Sequence, residues 1–417
     1  MQAITLFLVL SGGDATDTCR GPLTRDDVIE CARTHSPGVL ADRELVAGAK
    51  GQEKEARVML PSNPEVEFSA AYRQGPGGQR ATNYYGRISQ EVEIAGQRRR
   101  RMAAAQADRE AASRRVEVTE RDVLADALVA YYDAIAAQRE LEVLEGTVET
   151  AKLLEDVARE RARAGAAAPI EIDLAEAEKT GVREQAELAR GRMEMAQTRL
   201  AILVGLEPGA RPELRGDLDP LPVTIDRIDE EAVADRPELA EVGARQKAAR
   251  ARLGLLQRTR APNLRFQLFV QNDGFDELVL GGGLSLPIPL PAPLGRTNKG
   301  AIEAARADIR ETEARRDAVR RDITLEAAMA ERQLAARRRA AEAYDDEQIA
   351  RARASLQDLA DQAAAGRLDL RNALVTQRTL LELLLRRVRA QHELCRASVA
   401  LAHALDELRP RGKGRAR

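Results

Sequence analysis

An internal repeat with a period of about 200 residues constrains the fold more than any other feature of this chain. The segment SPGVL at 36–40 returns as RPELA at 236–240, and NPEVEF at 63–68 returns as APNLRF at 261–266. The AAAQADREAA stretch near 103–112 likewise aligns with EAARADIRETEA near 303–314. Because a repeat decides the architecture, we predict two copies of one unit, 22–205 and 231–408, joined by a proline- and glycine-rich connector at 206–230.

Each copy has the same internal order. A helix is predicted at 37–60 and again at 237–260, ended by Pro61 and Pro262. Two stretches of alternating apolar and polar residues follow, and this period of two predicts strands at about 64–74 and 83–94, then at about 263–273 and 277–290. A long helical hairpin closes each copy, at 96–205 and at 296–408. The fold class is therefore mainly α with a small β part.

The aromatic residues are concentrated at the predicted strands. Seven of the chain's Phe and Tyr residues lie in or beside the two hairpins: Phe68, Tyr72, Tyr84, Tyr85, Phe266, Phe269 and Phe275. This concentration favours an interfacial aromatic girdle over a scattered core.

Heptad spacing marks the long helices. The region from Gly96 to Ala164 contains no proline and would reach about 100 Å as one helix. Small and apolar residues recur every seven positions in the return helices, which predicts coiled-coil packing. The matching positions are Leu174, Gly181, Leu188, Met195 and Ile202 in the first copy and Leu374, Leu381, Val388, Cys395 and Ala402 in the second. We therefore predict that Cys395 and Met195 are packing residues.

Composition and motifs argue against several functions. Lys and Arg (65) nearly balance Asp and Glu (67), so no strong field recruits nucleic acid. There is no phosphate loop, nucleophile elbow or converging carboxylate pair, so we expect no enzyme activity and no cofactor. We also predict no metal site, because the three histidines are scattered and the three cysteines have no CxxC spacing.

The N-terminal segment 1–21 contains an apolar run from Ile4 to Leu10, followed by small residues. This pattern is typical of an export signal, and a buried N-terminal segment is the alternative. A disulfide between Cys19 and Cys31 fits an oxidising compartment, and unpaired structural thiols are the other interpretation. Residues 409–417 form a basic tail.

Four strands cannot close into a barrel, and an open sheet edge in lipid leaves backbone groups unsatisfied. If the strands enter a membrane, the chain must therefore oligomerise. A trimer would supply a 12-stranded β-barrel, with the long helices gathered into a periplasmic α-helical barrel. The arginines of ISQEVEIAGQRRRR (88–101) would then lie where strand gives way to helix, near lipid headgroups and neighbouring acids. A solvated helix end is the alternative for each arginine.

The duplicated order of helix, hairpin, long helix, turn and return helix resembles the TolC family of outer-membrane efflux proteins. ISQEVEIAGQRRRR, PLTRDDVIECARTHSPGVLADR and DRPELAEVGARQKAARARL are most similar to its cobalt-zinc-cadmium efflux branch. The resemblance covers about 22 to 408. It implies a homotrimeric passive channel in the outer membrane of a Gram-negative bacterium, with a large periplasmic part. Its partners would be outer-membrane lipid, a periplasmic adaptor (membrane fusion) protein and an inner-membrane pump of the RND type.

The same resemblance implies that the two helix-helix turns form the adaptor-contacting tip, here Gly165, Ala166 and Ala167 in the first copy and Gly366, Arg367 and Leu368 in the second. Relatives often have acids just past the second turn, where this chain has Asn372. We therefore hypothesise that Glu171, Asp369 and Arg371 form the charged periplasmic constriction beside Asn372, with solvated charges at a helix start as the alternative. Many relatives also carry a lipid-modified cysteine after the signal, and this chain has Gly13 at the position where that cysteine would be expected.

These observations predict the outer-membrane channel of a tripartite efflux system that serves a heavy-metal cation pump. A channel of the same fold for drugs or for type I protein secretion is one alternative. A soluble coiled-coil scaffold is the alternative from a different class, and aromatic-bearing alternating strands at matching places in both copies argue against it.

Overall fold

A computed structural model describes residues 19, 21–75, 77–166, 168–207, 209–223, 235–272, 277–290 and 298–408. The described residues fall into two compact units, one within Met1–Ala41, Thr119–Ala234 and Asp322–Arg417, the other within Asp42–Val118 and Asp235–Arg321. Both units take segments from both copies, so they do not follow the repeat boundary. Most of the predicted signal, part of the connector, Phe275 and the basic tail lie outside the described residues.

Helices dominate the described part of the chain, and the sheet is small. The helices are α1 (Arg25–His35), α2 (Pro37–Ala56), α3 (Gln97–Arg163), α4 (Pro169–Leu203), α5 (Pro237–Arg258), α6 (Lys299–Glu342), α7 (Asp346–Ala364) and α8 (Leu370–Ala404). The strands are β1 (Glu65–Gln74), β2 (Arg80–Val92), β3 (Leu264–Asn272) and β4 (Leu278–Ser285). No helix in these ranges is both long enough and apolar enough to cross a membrane.

The four strands form one antiparallel sheet in the order β1-β2-β3-β4. Glu65 pairs with Ser89, Val92 with Leu264, and Arg265 with Ser285, so the hairpins of the two copies join through β2 and β3. β4 stops at Ser285, short of the predicted 290, because the prolines that follow lack the N–H that a ladder needs. Within the described residues, β1 and β4 are the sheet edges.

Alternation gives the sheet two different faces. One face bears large apolar side chains that are mostly exposed, with Val66 78%, Phe68 71% and Leu280 74% accessible. The other face is polar: Arg87 pairs with Glu67, and Arg265 Nη1 lies 3.1 Å from the carboxylate of Glu65. The apolar face is therefore left uncovered by the residues that the structure describes.

The N-terminal segment is fastened to the first unit at several points. Cys19 and Cys31 form a disulfide, which decides between the two interpretations of these residues. Thr24 and Asp27 form a capping box at the start of α1. Leu23 pairs with Leu214 of the connector through backbone hydrogen bonds on both sides, Leu23 N to Glu213 O (2.8 Å) and Arg215 N to Leu23 O (2.9 Å).

The heptad stripes of the two return helices differ in burial. On α8 the stripe is buried, and Cys395 is fully inaccessible, as predicted. On α4 the corresponding stripe is exposed: Leu188 is 57%, Met195 66% and Ile202 51% accessible. The prediction that Met195 packs is wrong within the single chain, because its side chain stays 66% accessible among the residues that the structure describes.

The second long helix is interrupted, whereas the first is continuous. The predicted helix after residue 296 consists of α6 and α7, separated at 343–345, where Asp345 caps α7 by accepting a hydrogen bond from Glu347 N (3.3 Å). Arg387 of α8 spans the interruption. Its guanidinium donates to Ala341 O at the end of α6 (3.0 Å) and to Asp346 Oδ1 at the start of α7 (2.8 Å).

Candidate functional site

The two helix-helix turns predicted as the tip have the same backbone design. Gly165 follows α3 with φ of 72°, and Gly366 follows α7 with φ of 68°. Glycine occupies this left-handed conformation without the penalty that a Cβ atom brings. After each glycine the next N–H reaches back to the last helical turn, from Ala166 to Arg161 O (2.8 Å) and from Arg367 to Gln362 O (3.0 Å). Both turns are thus glycine-terminated helix ends that satisfy otherwise unpaired carbonyls.

The helix that follows each turn begins differently. α4 has Pro169 in its first turn, and the carboxylate of Glu171 accepts a hydrogen bond from the backbone N–H of Ala168 (3.3 Å). α8 has Asp369 at its N-cap position, but the Asp369 side chain makes no capping hydrogen bond. The first turn therefore uses its acid structurally, while the second turn leaves its acid available.

One apolar cluster brings the two turns together. It contains buried residues from the ends of α3 and α7 and the starts of α4 and α8: Leu154, Ala158, Ala175, Leu359, Ala360, Ala363, Leu370, Ala373 and Leu374. Many of these residues are alanines, so the helix backbones approach closely. The tips of the two copies lie side by side as a result.

The residues predicted for the constriction do not contact one another as an ion pair. Asp369, Arg371 and Asn372 are exposed, and Glu171 is half-buried by its capping role. Ala166, Gly366 and Arg367 are exposed and Leu368 is partly buried, while Ala167 lies outside the described residues. The chain thus presents exposed charges of both signs at the second turn, and the constriction stays a prediction.

A charged layer behind the tip was not predicted from the sequence. The Glu155 side chain on α3 is only 2% exposed and is paired with Arg159 (2.5 Å) and with Lys179 of α4 (2.5 Å). Glu178 of α4 pairs with Arg378 of α8, which occupies the position equivalent to it in the repeat. Opposite charges at positions that the repeat makes equivalent are a sequence signal that could have found this second pair.

A polar cluster in the same unit centres on His403 of α8. Its two ring nitrogens contact carboxylates on two other helices, Asp122 of α3 (Nε2, 3.0 Å) and Glu326 of α6 (Nδ1, 2.9 Å). Arg121, whose side chain is 2% exposed, donates to the backbone oxygen of His403 (2.7 Å). Burial lowers the pKa of His403, but the hydrogen bonds to Asp122 and Glu326 outweigh it, so the net pKa is raised.

Burial dominates the pKa shifts of two further side chains in this unit. It raises the pKa of Cys395 to about 12 and that of Tyr132 to about 12. The Tyr132 hydroxyl donates to Asp219 O (2.7 Å), and Tyr131 donates to Arg215 O (2.8 Å), which ties the connector to α3. Cys395 is thus an unreactive packing residue. No group of three or more His, Cys, Asp or Glu side chains that could hold a metal ion occurs within the ranges that the structure describes.

Comparison with known proteins gives consistent matches. Residues 29–206 match the family described as "Outer membrane efflux protein". The chain is 28% identical over 320 residues to protein CyaE of Bordetella pertussis, a match that covers 70% of this chain and 65% of CyaE. It is 22% identical over 369 residues to the cobalt-zinc-cadmium resistance protein CzcC of Cupriavidus metallidurans, covering 87% and 85% of the two chains.

Solved structures share the fold at lower sequence identity. CusC aligns over 91% of both chains with a TM-score of 0.73 and 14% identity. The CmeC outer membrane channel of Campylobacter jejuni aligns over 91% of this chain and 85% of its own, with a TM-score of 0.72 and 14% identity.

Proposed function

We propose that the chain is the outer-membrane channel of a tripartite efflux system, because its residues 29–206 match the outer membrane efflux protein family. It conducts passively from the periplasm to the outside and catalyses nothing. Its location is the outer membrane of a Gram-negative bacterium, with the helical hairpins in the periplasm. A periplasmic adaptor and an energised inner-membrane pump of the RND type complete the system.

The exposed apolar face of the sheet is the observation that carries this proposal. Leu268 and Leu284 are 66% and 65% accessible on that face, whereas the opposite face holds ion pairs such as Arg265 with Glu65. A soluble protein would not leave such a face open to water. Lipid on one side and an aqueous lumen on the other accommodate both faces, as in membrane β-barrels.

Closure of the barrel requires copies of the chain. β1 and β4 are edge strands within the described residues, and an open edge in lipid costs several kcal/mol for each unsatisfied backbone group. Three copies give a 12-stranded barrel in which β4 of one protomer pairs with β1 of the next. The exposed stripe of α4 supports the same assembly, because its counterpart on α8 is buried within the chain.

The helix turns are the proposed adaptor-contacting tip. Gly165, Ala166 and Ala167 form one half, and Gly366, Arg367 and Leu368 the other, held together by the apolar cluster behind them. Asp369 and Arg371, beside Asn372 and with Glu171 of the neighbouring turn, form the proposed constriction, since symmetry would bring three copies of these exposed charges around one axis.

Divalent metal cations are the proposed cargo, because CzcC is named as a cobalt-zinc-cadmium resistance protein and matches 87% of this chain. A conduit need not coordinate what it passes, so the pump would select the ion. Deletion of the gene should lower resistance to cobalt, zinc or cadmium. Unchanged resistance to all three metals would contradict the proposed cargo but not the proposed channel function.

Single-channel recording in planar bilayers tests the channel itself. The full-length protein should form stable ohmic pores, and Asp369→Ala with Arg371→Ala should raise their conductance. Arg310→Ala, an exposed change on α6, is the control and should leave conductance unchanged. Absence of pores would contradict the channel, and equal conductance in all three proteins would contradict the constriction.

A further inference from the structure

The four consecutive arginines at the start of α3 divide into two pairs with different surroundings. Arg98 donates to the backbone oxygen of Arg57 (2.8 Å), and Arg101 donates to Val58 O (3.1 Å) and pairs with Glu93. These two arginines satisfy carbonyls at the C-terminal end of α2, which is a structural role. Arg99 and Arg100 are exposed and form no ion pair with any side chain that the structure describes.

The end of α5 and the start of α6 add further cations at the same place. The Gln97 side chain donates to Ala261 O (3.2 Å) and to Asn263 Oδ1 (3.1 Å), which sets the start of α3 against the segment after α5. The Arg100 side chain lies against Gly254, one helical turn before Arg258. Because Gly254 has no side chain, the Arg100 side chain can pack closely against α5 at this position.

Arg258, Arg260 and Lys299 are exposed, and no ion pair involves them among the described residues. The Asn298 side chain donates to the Thr259 hydroxyl just after α5 (3.2 Å). Lys299, the next residue, therefore lies close to the end of α5. Lys299 is also the repeat counterpart of Arg99. Cations therefore occur at the strand-helix junction in both copies, which a chance run of arginines would not produce.

Few acids offset this charge. Glu53 is paired with Arg57 and Arg109, and Glu93 with Arg101. Glu55 is the remaining acid on the last turn of α2. Glu303, four residues after Lys299 on α6, is also exposed. Because the five exposed cations outnumber Glu55 and Glu303, the junction has a surplus of positive charge.

Exposed apolar residues lie beside these cations. Met59 is 76% and Ile94 59% accessible, and each lies within a few residues of a strand whose apolar face is open. Long cationic side chains next to an apolar belt can bury their methylene groups while the charge stays at the headgroup level. This combination fits the surface of a bilayer better than it fits water.

We infer that Arg99, Arg100, Arg258, Arg260 and Lys299 form a basic collar that binds the headgroups of anionic phospholipids in the periplasmic leaflet of the outer membrane. The inference rests on the proposed function, since it requires that the sheet enter a membrane. Its chemistry is that of a phosphodiester held by guanidinium groups, and the collar would fix the depth of the sheet in the bilayer.

Native mass spectrometry of detergent-purified full-length protein, titrated with phosphatidylglycerol or phosphatidylcholine, tests the collar. R99Q/R100Q/R258Q/R260Q removes four of its charges. R306Q/R310Q/R316Q/R321Q is the matched control, because it removes four exposed arginines of α6 that have no ion pair within the described ranges. Each cation near an anionic surface strengthens binding about fivefold, so the collar variant should lose at least about tenfold in phosphatidylglycerol occupancy.

The wild-type protein should prefer phosphatidylglycerol, and added salt should weaken that preference. The control variant should retain it. Equal phosphatidylglycerol binding by the collar and control variants would overturn the collar. The trimer mass and pore formation, measured on the same samples, separate this result from failure of the channel itself, which would abolish both properties in the wild type.

Discussion

The exposed stripe on α4 should stabilise the trimer rather than the fold of a single chain. Leu188 and Met195 are 57% and 66% accessible, whereas their counterparts on α8, Val388 and Cys395, are buried. Complete burial of a Leu or Met side chain contributes about 1.5–3 kcal/mol, so the exposed fraction corresponds to about 1–2 kcal/mol for each residue. Leu188→Ala with Met195→Ala, repeated in three copies, should therefore weaken the trimer by about 6–12 kcal/mol.

Size-exclusion chromatography with light scattering, over a series of protein dilutions in detergent, measures this effect. The variant should dissociate at concentrations where the wild type stays trimeric, while circular dichroism shows unchanged helix content. Leu374→Ala with Leu381→Ala is the contrasting pair, because both leucines are buried within the chain, 5% accessible each. That pair should lower the unfolding free energy by about 2–5 kcal/mol for each residue. A trimer as stable as wild type after the α4 changes would refute the reasoning.

Three further predictions concern the helical parts of the chain. Cys19→Ser with Cys31→Ser should lower the unfolding free energy by about 3 kcal/mol in a urea titration, since the disulfide closes a loop across a separation of 12 residues. An effect below about 0.5 kcal/mol would show that the N-terminal segment contributes little to the stability of the fold. The pKa of His403 is raised in the fold, so the stabilisation from its charged ring is complete below the unfolded value of about 6.5 and is lost as pH rises through the folded pKa. The advantage of wild type over His403→Gln in melting temperature should therefore shrink as the pH is raised above about 6.5. A constant difference would contradict the doubly hydrogen-bonded imidazolium. Gly366→Ala should lower the unfolding free energy by about 1–2 kcal/mol, because the φ of Gly366 is 68°. Gly300→Ala, at a helical position with open space for a Cβ atom, should stabilise the fold slightly. Equal effects of the two changes in thermal melts would contradict the turn geometry.

The parts of the fold that a local pattern encodes were predictable. Alternation at Val66 and Phe68 marked strands, Gly165 and Gly366 marked helix ends, and the repeat arranged them in order. The family resemblance is confirmed by the match of residues 29–206. These features need only neighbours in sequence or a fixed offset.

Features that depend on a distant partner were not predicted. The interruption between α6 and α7 contains neither proline nor glycine, and it is held by Arg387 from another helix. Asp345 at its N-cap was the available local signal, but such residues also occur within helices. The same limit explains Met195, because heptad spacing identifies a packing face without telling whether its partner belongs to the same chain.

Membrane fractionation tests the central claim most directly. The full-length protein is expressed in a Gram-negative host, and the inner and outer membranes are separated on a density gradient. The mass of the extracted protein is then measured by native mass spectrometry. We expect the protein in the outer-membrane fraction with the mass of three chains. Recovery as a soluble protein, or as a single chain in the inner membrane, would contradict the account.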